Sequence, residues 1–330
     1  MNRFVKVTVI SAAVVAILVG VMVGAAVWLG FDLSGDLPVI PPETPPADVS
    51  LMDVGGSAEA DVRGIQKAEN ESVLVVDAKG PVGGAPEIPD LTPQSGEHPM
   101  QRTLDWAKSQ LSRVEAISDY SATFTKRESV DGSLGEPTRM FMKMRHRPCG
   151  IYVRYEVPAK NAGVEAIYIE PSGTQPGKGK MWGHGVGLER ILGTLSLDPN
   201  GMIAMQGQKY PITTIGILKM HQLFVEIGTK DMEHGECGVV YTPEMMWNGR
   251  RCAEVVVTHP VKRDYFRFHR AIVRIDRELV LPLFYQAFDW ATDDDGNPKL
   301  IEEFYYENVK LNNGFTDADF NTKNKEYNFP

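Results

Sequence analysis

From Tyr265 to Leu311 the chain alternates apolar and polar side chains in three successive runs, the pattern of strands that bury one face and solvate the other. Arg267, His269, Arg270 and Arg274 interleave with Phe266, Phe268, Ile272, Val273 and Ile275. Leu283 to Trp290 then sets Phe284, Phe288 and Trp290 on one face, and Lys299 to Leu311 returns. Asp276-Arg277-Glu278 and Asp293-Asp294-Asp295-Gly296-Asn297-Pro298 are turn chemistry between the runs. A three-strand antiparallel meander is therefore the element against which everything else must pack.

Upstream, Met100, Leu104, Ala107, Leu111, Val114 and Ile117 recur at three and four residues, which predicts an amphipathic helix over Met100 to Ile117. Tyr120, Ala122 and Phe124, a turn at Asp131-Gly132, and Met140, Met142 and Met144 predict a hairpin. Ile151 to Val157 and Glu165 to Glu170 extend it around the turn Pro158 to Gly163. The glycine-rich passage Gly177 to Gly187 matches no phosphate-binding pattern and is read as a loop or strand connection. Pro211 is read as opening a second helix with Ile215, Leu218, His221 or Gln222, and Val225 on one face. Strands follow at Gly238 to Thr242, Met245 to Trp247 and Arg251 to His259, with an Asn248-Gly249 hairpin. The fold class expected is mainly β (α+β): a large antiparallel sheet or unclosed barrel with covering helices.

The amino-terminal part reads differently. Val7 to Phe31 is a run of 25 uncharged residues, and a helix of that length is about 37 Å, enough to span a hydrocarbon core of about 30 Å. Arg3 and Lys6 precede it and Asp32 and Asp36 follow, so the positive-inside rule keeps 1–6 in the cytoplasm and exports the rest. The competing reading is a cleaved signal peptide ending near Gly24-Ala25-Ala26; a lipoprotein anchor is disfavoured because no cysteine follows the run. Residues 32–97 hold nine prolines, thirteen acidic and three basic residues, and no aromatic ring. That composition predicts a disordered linker with a reach of about 45 Å. Within it, only Val73 to Val76 is apolar. Residues 98–330 form the folded domain. The net charge of -9 belongs to the linker; the domain is nearly neutral, which argues against a nucleic-acid binder.

No catalytic constellation can be singled out, and no cofactor or metal site is expected. His234 and Cys237 share ligand-like spacing but make only two ligands, and Ala291 occupies the first position of what would otherwise approximate a calcium loop at Asp293, Asp295, Gly296 and Glu302. The glycine-rich passage with His184 is the one centre an enzyme could use. Cys149, Cys237 and Cys252 show no redox spacing and allow one disulfide. Two basic groups, Arg139, Lys143, Arg145, Arg147 and Arg154, and Arg263, Arg267, Arg270 and Arg274, suit either a solvated face or anionic headgroups.

Several segments resemble a known family. Tyr120-Ser-Ala-Thr-Phe-Thr-Lys-Arg-Glu-Ser-Val-Asp-Gly, Arg145-His-Arg-Pro, Leu192-Gly-Thr-Leu-Ser-Leu-Asp-Pro-Asn-Gly, Tyr210-Pro-Ile-Thr-Thr-Ile-Gly and Tyr305-Tyr-Glu-Asn-Val-Lys-Leu-Asn are similar to the planctomycete-type bacterial family known as domain of unknown function 1571. That family has no assigned activity. More distantly, the element order resembles the lipoprotein carriers LolA and LolB and the first domain of RseB. This resemblance implies an open barrel whose concave face accepts acyl chains. Together with a strand face rich in Met and Phe, it makes Phe124, Met142, Met144, Ile167, Val255, Phe266, Phe268 and Phe288 the candidate lipid-lining residues. The whole then reads as a single-pass protein of the bacterial inner membrane with a periplasmic domain. Its expected ligand is a lipid or lipoprotein acyl chain, and the alternative is an envelope protein partner without a lipid.

Overall fold

The computed structural model describes residues 87–171 and 179–330. The segments 1–6, 7–31 and most of the 32–97 linker lie outside them, as does Val73 to Val76. No helix among the described residues is long and apolar enough to cross a membrane.

The strands are β1 (Asp119–Val130), β2 (Ser133–Leu134), β3 (Thr138–Arg145), β4 (Gly150–Val157), β5 (Glu165–Ile169), β6 (Met181–His184), β7 (Leu195–Leu197), β8 (Gly238–Trp247), β9 (Arg250–Thr258), β10 (Arg270–Asp276), β11 (Leu281–Thr292) and β12 (Pro298–Leu311). They form one antiparallel sheet in the order β7-β6-β5-β4-β3-β1-β12-β11-β10-β9-β8, with β2 paired to β1. The sheet is not closed: β7 and β8 are its two ends. The helices are α1 (Gln101–Glu115), α2 (Met202–Met205) and α3 (Ile217–Asp231). The predicted meander is β10-β11-β12, and β12 joins β1 in register Phe124↔Tyr306, tying the two halves of the chain at the centre of the sheet.

One face of the sheet carries the main core. Phe124, Met140, Met142, Met144, Ile151, Val153, Val255, Val257, Ile275, Tyr285 and Tyr306 project from it, and Leu104, Ala107 and Val114 of α1 with Ile217, Met220 and Ile227 of α3 cover them. Gly228 of α3 lets the helices close on each other; a Cβ there would lie 3.2 Å from Leu104 Cδ1. The opposite face over β3 to β6 carries a second cluster of Tyr152, Ile167 and Phe320, to which Phe315, Tyr327 and Phe329 of the carboxyl-terminal segment add. That segment accounts for β4, where Ile151, Tyr152 and Val153 are all buried although consecutive residues face opposite ways.

Four expectations need correction. Ile88 and Leu91, assigned to the linker, are buried in the main core, and Tyr241 Oη donates to Pro89 O at 3.2 Å. This stretch is therefore docked on the domain, because two apolar residues suffice to hold a short segment whose average composition is polar. Second, the glycine-rich passage contributes β6, which pairs with β5 from Glu165↔His184 to Tyr168↔Met181. Third, the second helix begins at Ile217 and not at Pro211, which opens a separate 3-10 turn, Ile212–Thr214. Gly216 separates the two at φ 118°, a conformation that side chains with a Cβ avoid. Fourth, Phe266 and Phe268 precede β10 instead of lying in it. The Phe266 N–H donates to Arg263 O, turning the chain, and Phe266 stacks on His259 at 3.8 Å.

Candidate functional site

The two long helices and the β9-β10-β11 part of the sheet line a largely apolar cavity of about 70 Å³. Leu104 and Ala107 of α1, Phe224 of α3, Val255 of β9, Ala271 of β10 and Tyr285 of β11 are among its walls. The walls come from these elements because α1 and α3 each offer one apolar stripe while β9 to β11 offer the inward half of their alternation. Adaptable methionines surround the seam: Met100 lines it, and Met142, Met144 and Met220 lie in the same core.

Polar side chains also line it, among them Thr103 of α1 and His221 and Asp231 of α3. His221 Nε2 lies 2.7 Å from Ala107 O and fixes α3 to α1; burial pushes its pKa below the ordinary 6.5. At the end of α3, Asp231 Oδ2 lies 3.2 Å from His259 Nε2, both side chains buried, while His259 Nδ1 lies 3.0 Å from Phe268 O. Neither His259 Nε2 nor Asp231 Oδ2 has an aligned hydrogen bond.

The eight predicted lining residues separate into groups. Val255 and Phe268 line the cavity. Phe124, Met142 and Met144 are buried in the same core nearer β1 and β3 without reaching it, and Phe124 stacks on Tyr306 at 4.7 Å. Ile167 lies on the other face of the sheet under Phe320, which corrects its assignment, because β5 turns Ala166 and Tyr168 inward and Ile167 outward. Phe266 belongs to the His259 stack. Phe288 is half-buried, and the Arg270 guanidinium lies 4.6 Å from its ring centre. Helix residues Leu104, Ala107 and Phe224 were missed as a site, although the periodicity of α1 already assigned Leu104 and Ala107 to a buried stripe.

Two further arrangements went unforeseen. Glu165, under the carboxyl-terminal segment, accepts from Tyr152 Oη at 2.8 Å and from Asn328 N–H at 2.7 Å, and lies 3.0 Å from His184 Nε2. His184 Nδ1 faces Gly185 O at 2.9 Å, so both ring nitrogens of His184 have partners within the fold. At the other end of β1, Glu128 stands opposite Glu302 of β12, both buried. Like charges in that register repel. Lys126, which bonds Glu128 at 2.7 Å, and Lys209, which bonds Glu302, compensate them. Tyr210 Oη donates to Glu302 at 2.6 Å and accepts from Arg267 at 2.8 Å, so residues 208–210 are latched across the sheet.

The basic groups are largely spoken for. Lys143 contacts Asp319 at 3.3 Å and Arg145 contacts Asp317 at 2.7 Å, both in the carboxyl-terminal segment. Arg263 pairs with Glu236 and Arg274 with Glu254. Cys149, Cys237 and Cys252 are free thiols, and burial pushes each up to about 11. No group of three or more His, Cys, Asp or Glu that could hold a metal occurs among the described residues.

A family model described as "Protein of unknown function (DUF1571)" matches residues 117–329. Among solved structures, a DUF1329 family protein from Desulfovibrio piger is 13% identical at a TM-score of 0.34, covering 68% of this chain and 98% of its own. Lipoprotein LppX of Mycobacterium tuberculosis is 10% identical at a TM-score of 0.37, covering 64% and 96%. A LolA superfamily protein from Nitrosomonas europaea is 9% identical at a TM-score of 0.27, covering 65% and 97%. A search of the curated proteins finds no match.

Proposed function

From the premise that this chain belongs to the DUF1571 family, we propose that it is a binding protein for a lipid or lipoprotein acyl chain, held to the outer side of a bacterial inner membrane by Val7 to Phe31. The observation that carries the reading is the apolar cavity between α1, α3 and β9 to β11. A seam whose exposed lining is almost wholly apolar favours hydrocarbon, since a polar ligand atom placed against it would lose its hydrogen bonds to water. At about 70 Å³ the seam is too small for an acyl chain as it stands, well below the roughly 300 Å³ at which ligand pockets begin. Binding therefore requires the α1–α3 pair, fastened together by His221 and Gly228, to lift from the sheet as a unit. Gly216 at the start of α3 is the natural hinge.

Native mass spectrometry of the full chain, purified from the membrane in mild detergent, should find a bound acyl-chain lipid. Ala271→Leu, which fills the cavity from β10, should reduce its occupancy at least tenfold, roughly the worth of 1.4 kcal/mol. Absence of any bound lipid, or occupancy indifferent to the filled cavity, would overturn the reading. The second reading, an envelope protein partner in place of a lipid, draws on edge strand β8, where Val240 and Met246 are exposed; in-cell crosslinking from β8 to another protein favours it.

A further inference from the structure

Ten large hydrophobic side chains are exposed among the described residues, and five of them fall between 188 and 203: Leu188 (86%), Ile191 (81%), Leu192 (54%), Met202 (83%) and Ile203 (66%). The other five are scattered over Val157, Val240, Met246, Val261 and Tyr265. The five sit on two short helical turns, Gly187–Leu192 and Met202–Met205, which flank β7, the outermost strand at its end of the sheet. This arm is tied down rather than loose. Met181↔Leu197 and Gly183↔Leu195 pair β7 to β6, and Arg190 donates to Asn328 O at 3.0 Å. Just past it, Lys209 and Tyr210 are latched to Glu302. A chain that fixes the backbone yet leaves five apolar side chains in water is presenting them to something.

We infer that this arm is a membrane-contact element, whose Leu188, Ile191, Leu192, Met202 and Ile203 insert into the interfacial layer of the bilayer. Two observations favour a bilayer over a solid partner. Three of the five, Leu188, Ile191 and Met202, are more than four-fifths exposed and rest on no shelf of their own surface, so a protein partner would have to supply a separate hole for each, whereas acyl chains surround a side chain from every direction. The same chain also carries Val7 to Phe31, 25 uncharged residues of a length to span a bilayer; on the proposal above that this run is an anchor, it would keep the domain at a membrane. A single weak apolar signal becomes a stable one when combined with a second on the same molecule. The inference concerns where the domain touches lipid and goes beyond the proposal that the seam holds an acyl chain.

The test uses the full chain reconstituted into phosphatidylcholine vesicles with brominated acyl chains. A bimane fluorophore is placed at Ile203→Cys or, as control, at Val240→Cys on the far edge strand. The native thiols compete little, since burial raises all three to about 11. The expected result is bromine quenching at position 203 and none at 240, with L188D/I191D cutting the quenching at 203 by about tenfold. Quenching at 203 no greater than at 240 overturns the inference. So does efficient disulfide crosslinking between two copies of the unlabelled Ile203→Cys variant without quenching of the labelled one, which would make a second copy the occupant. The exposed positions leave folding untouched, and the probe reads the arm and not the seam, so its failure would leave the acyl-chain proposal standing.

Discussion

Gly216 is the residue that sets the start of α3 against the sheet. It has φ 118° and ψ 156°, its N–H donates to Tyr306 Oη at 3.1 Å, and the next N–H donates to Tyr120 Oη at 2.9 Å. Both tyrosines are buried and remain protonated throughout the working pH range, because burial raises them well beyond the ordinary 10.0. They serve as acceptors that cap the start of α3, where Gly216 at the N-cap has no side chain to do so. A Cβ at 216 would lie 2.6 Å from Met144 Cε and 3.1 Å from Tyr120 Oη. The methionine tip can move; the backbone conformation is what only glycine tolerates. Gly216→Ala should therefore cost on the order of 1–3 kcal/mol, read as a lowered urea midpoint. Adding Met144→Ala, which removes the clash, should restore little of it, and full rescue would show that crowding is the cause instead.

The carboxyl-terminal segment is the element the strand pattern did not announce. Phe320 fills the space above Gly150, where a Cβ would lie 2.8 Å from its ring, and Tyr327 stacks on Tyr152 with centroids 3.9 Å apart. Charge sets its pH limits. Burial pushes Asp319 up, but the Thr316 N–H and Lys143 pull it down further, leaving it below the ordinary 3.8. Lys143 is raised above 10.5, desolvation being outweighed by Tyr327 and Asp319. An acid whose folded value is lowered stabilises the fold above its unfolded value and ceases to do so as pH falls through the folded one. The Asp319 contact is therefore intact from about pH 5 upward and fades below 3.8. Hydrogen exchange should show residues 315–329 losing protection on acidification before β9 to β12 do, and Asp319→Asn should reduce that acid dependence while weakening the segment at neutral pH. Simultaneous loss of both regions would mean that the segment is not a separate unit. Phe320→Ala should cost about 3 kcal/mol at any pH.

At the scale of the whole molecule, the proposed topology makes a biochemical prediction. The full chain should stay in the membrane after alkaline carbonate. Protease added to spheroplasts should release a near-intact domain whose new amino terminus falls before Glu87. The acidic, proline-rich composition up to that point favours cleavage, whereas beyond it Ile88 and Leu91 are buried. A soluble protein beginning near Val27 would instead establish a cleaved signal peptide, and protection in spheroplasts would place the domain in the cytoplasm.

The strands themselves were legible because side-chain alternation is local: one face of β1, β9 or β12 is written in every second residue, and the turns Asp131-Gly132 and Asn248-Gly249 adopt the positive φ that their composition predicts. The first helix was legible for the same reason. Periodicity reports that a face is buried, never what buries it. It gave Ile167 the same weight as Val255 although they lie on opposite faces of the sheet. Pairing β1 with β12, setting Glu128 opposite Glu302, seating Lys143 on Asp319 and closing the seam between α1, α3 and β9 to β11 all join residues far apart in the chain. Those choices are made by the collective packing of the sheet, since each pairing is favourable only once the others exclude water around it.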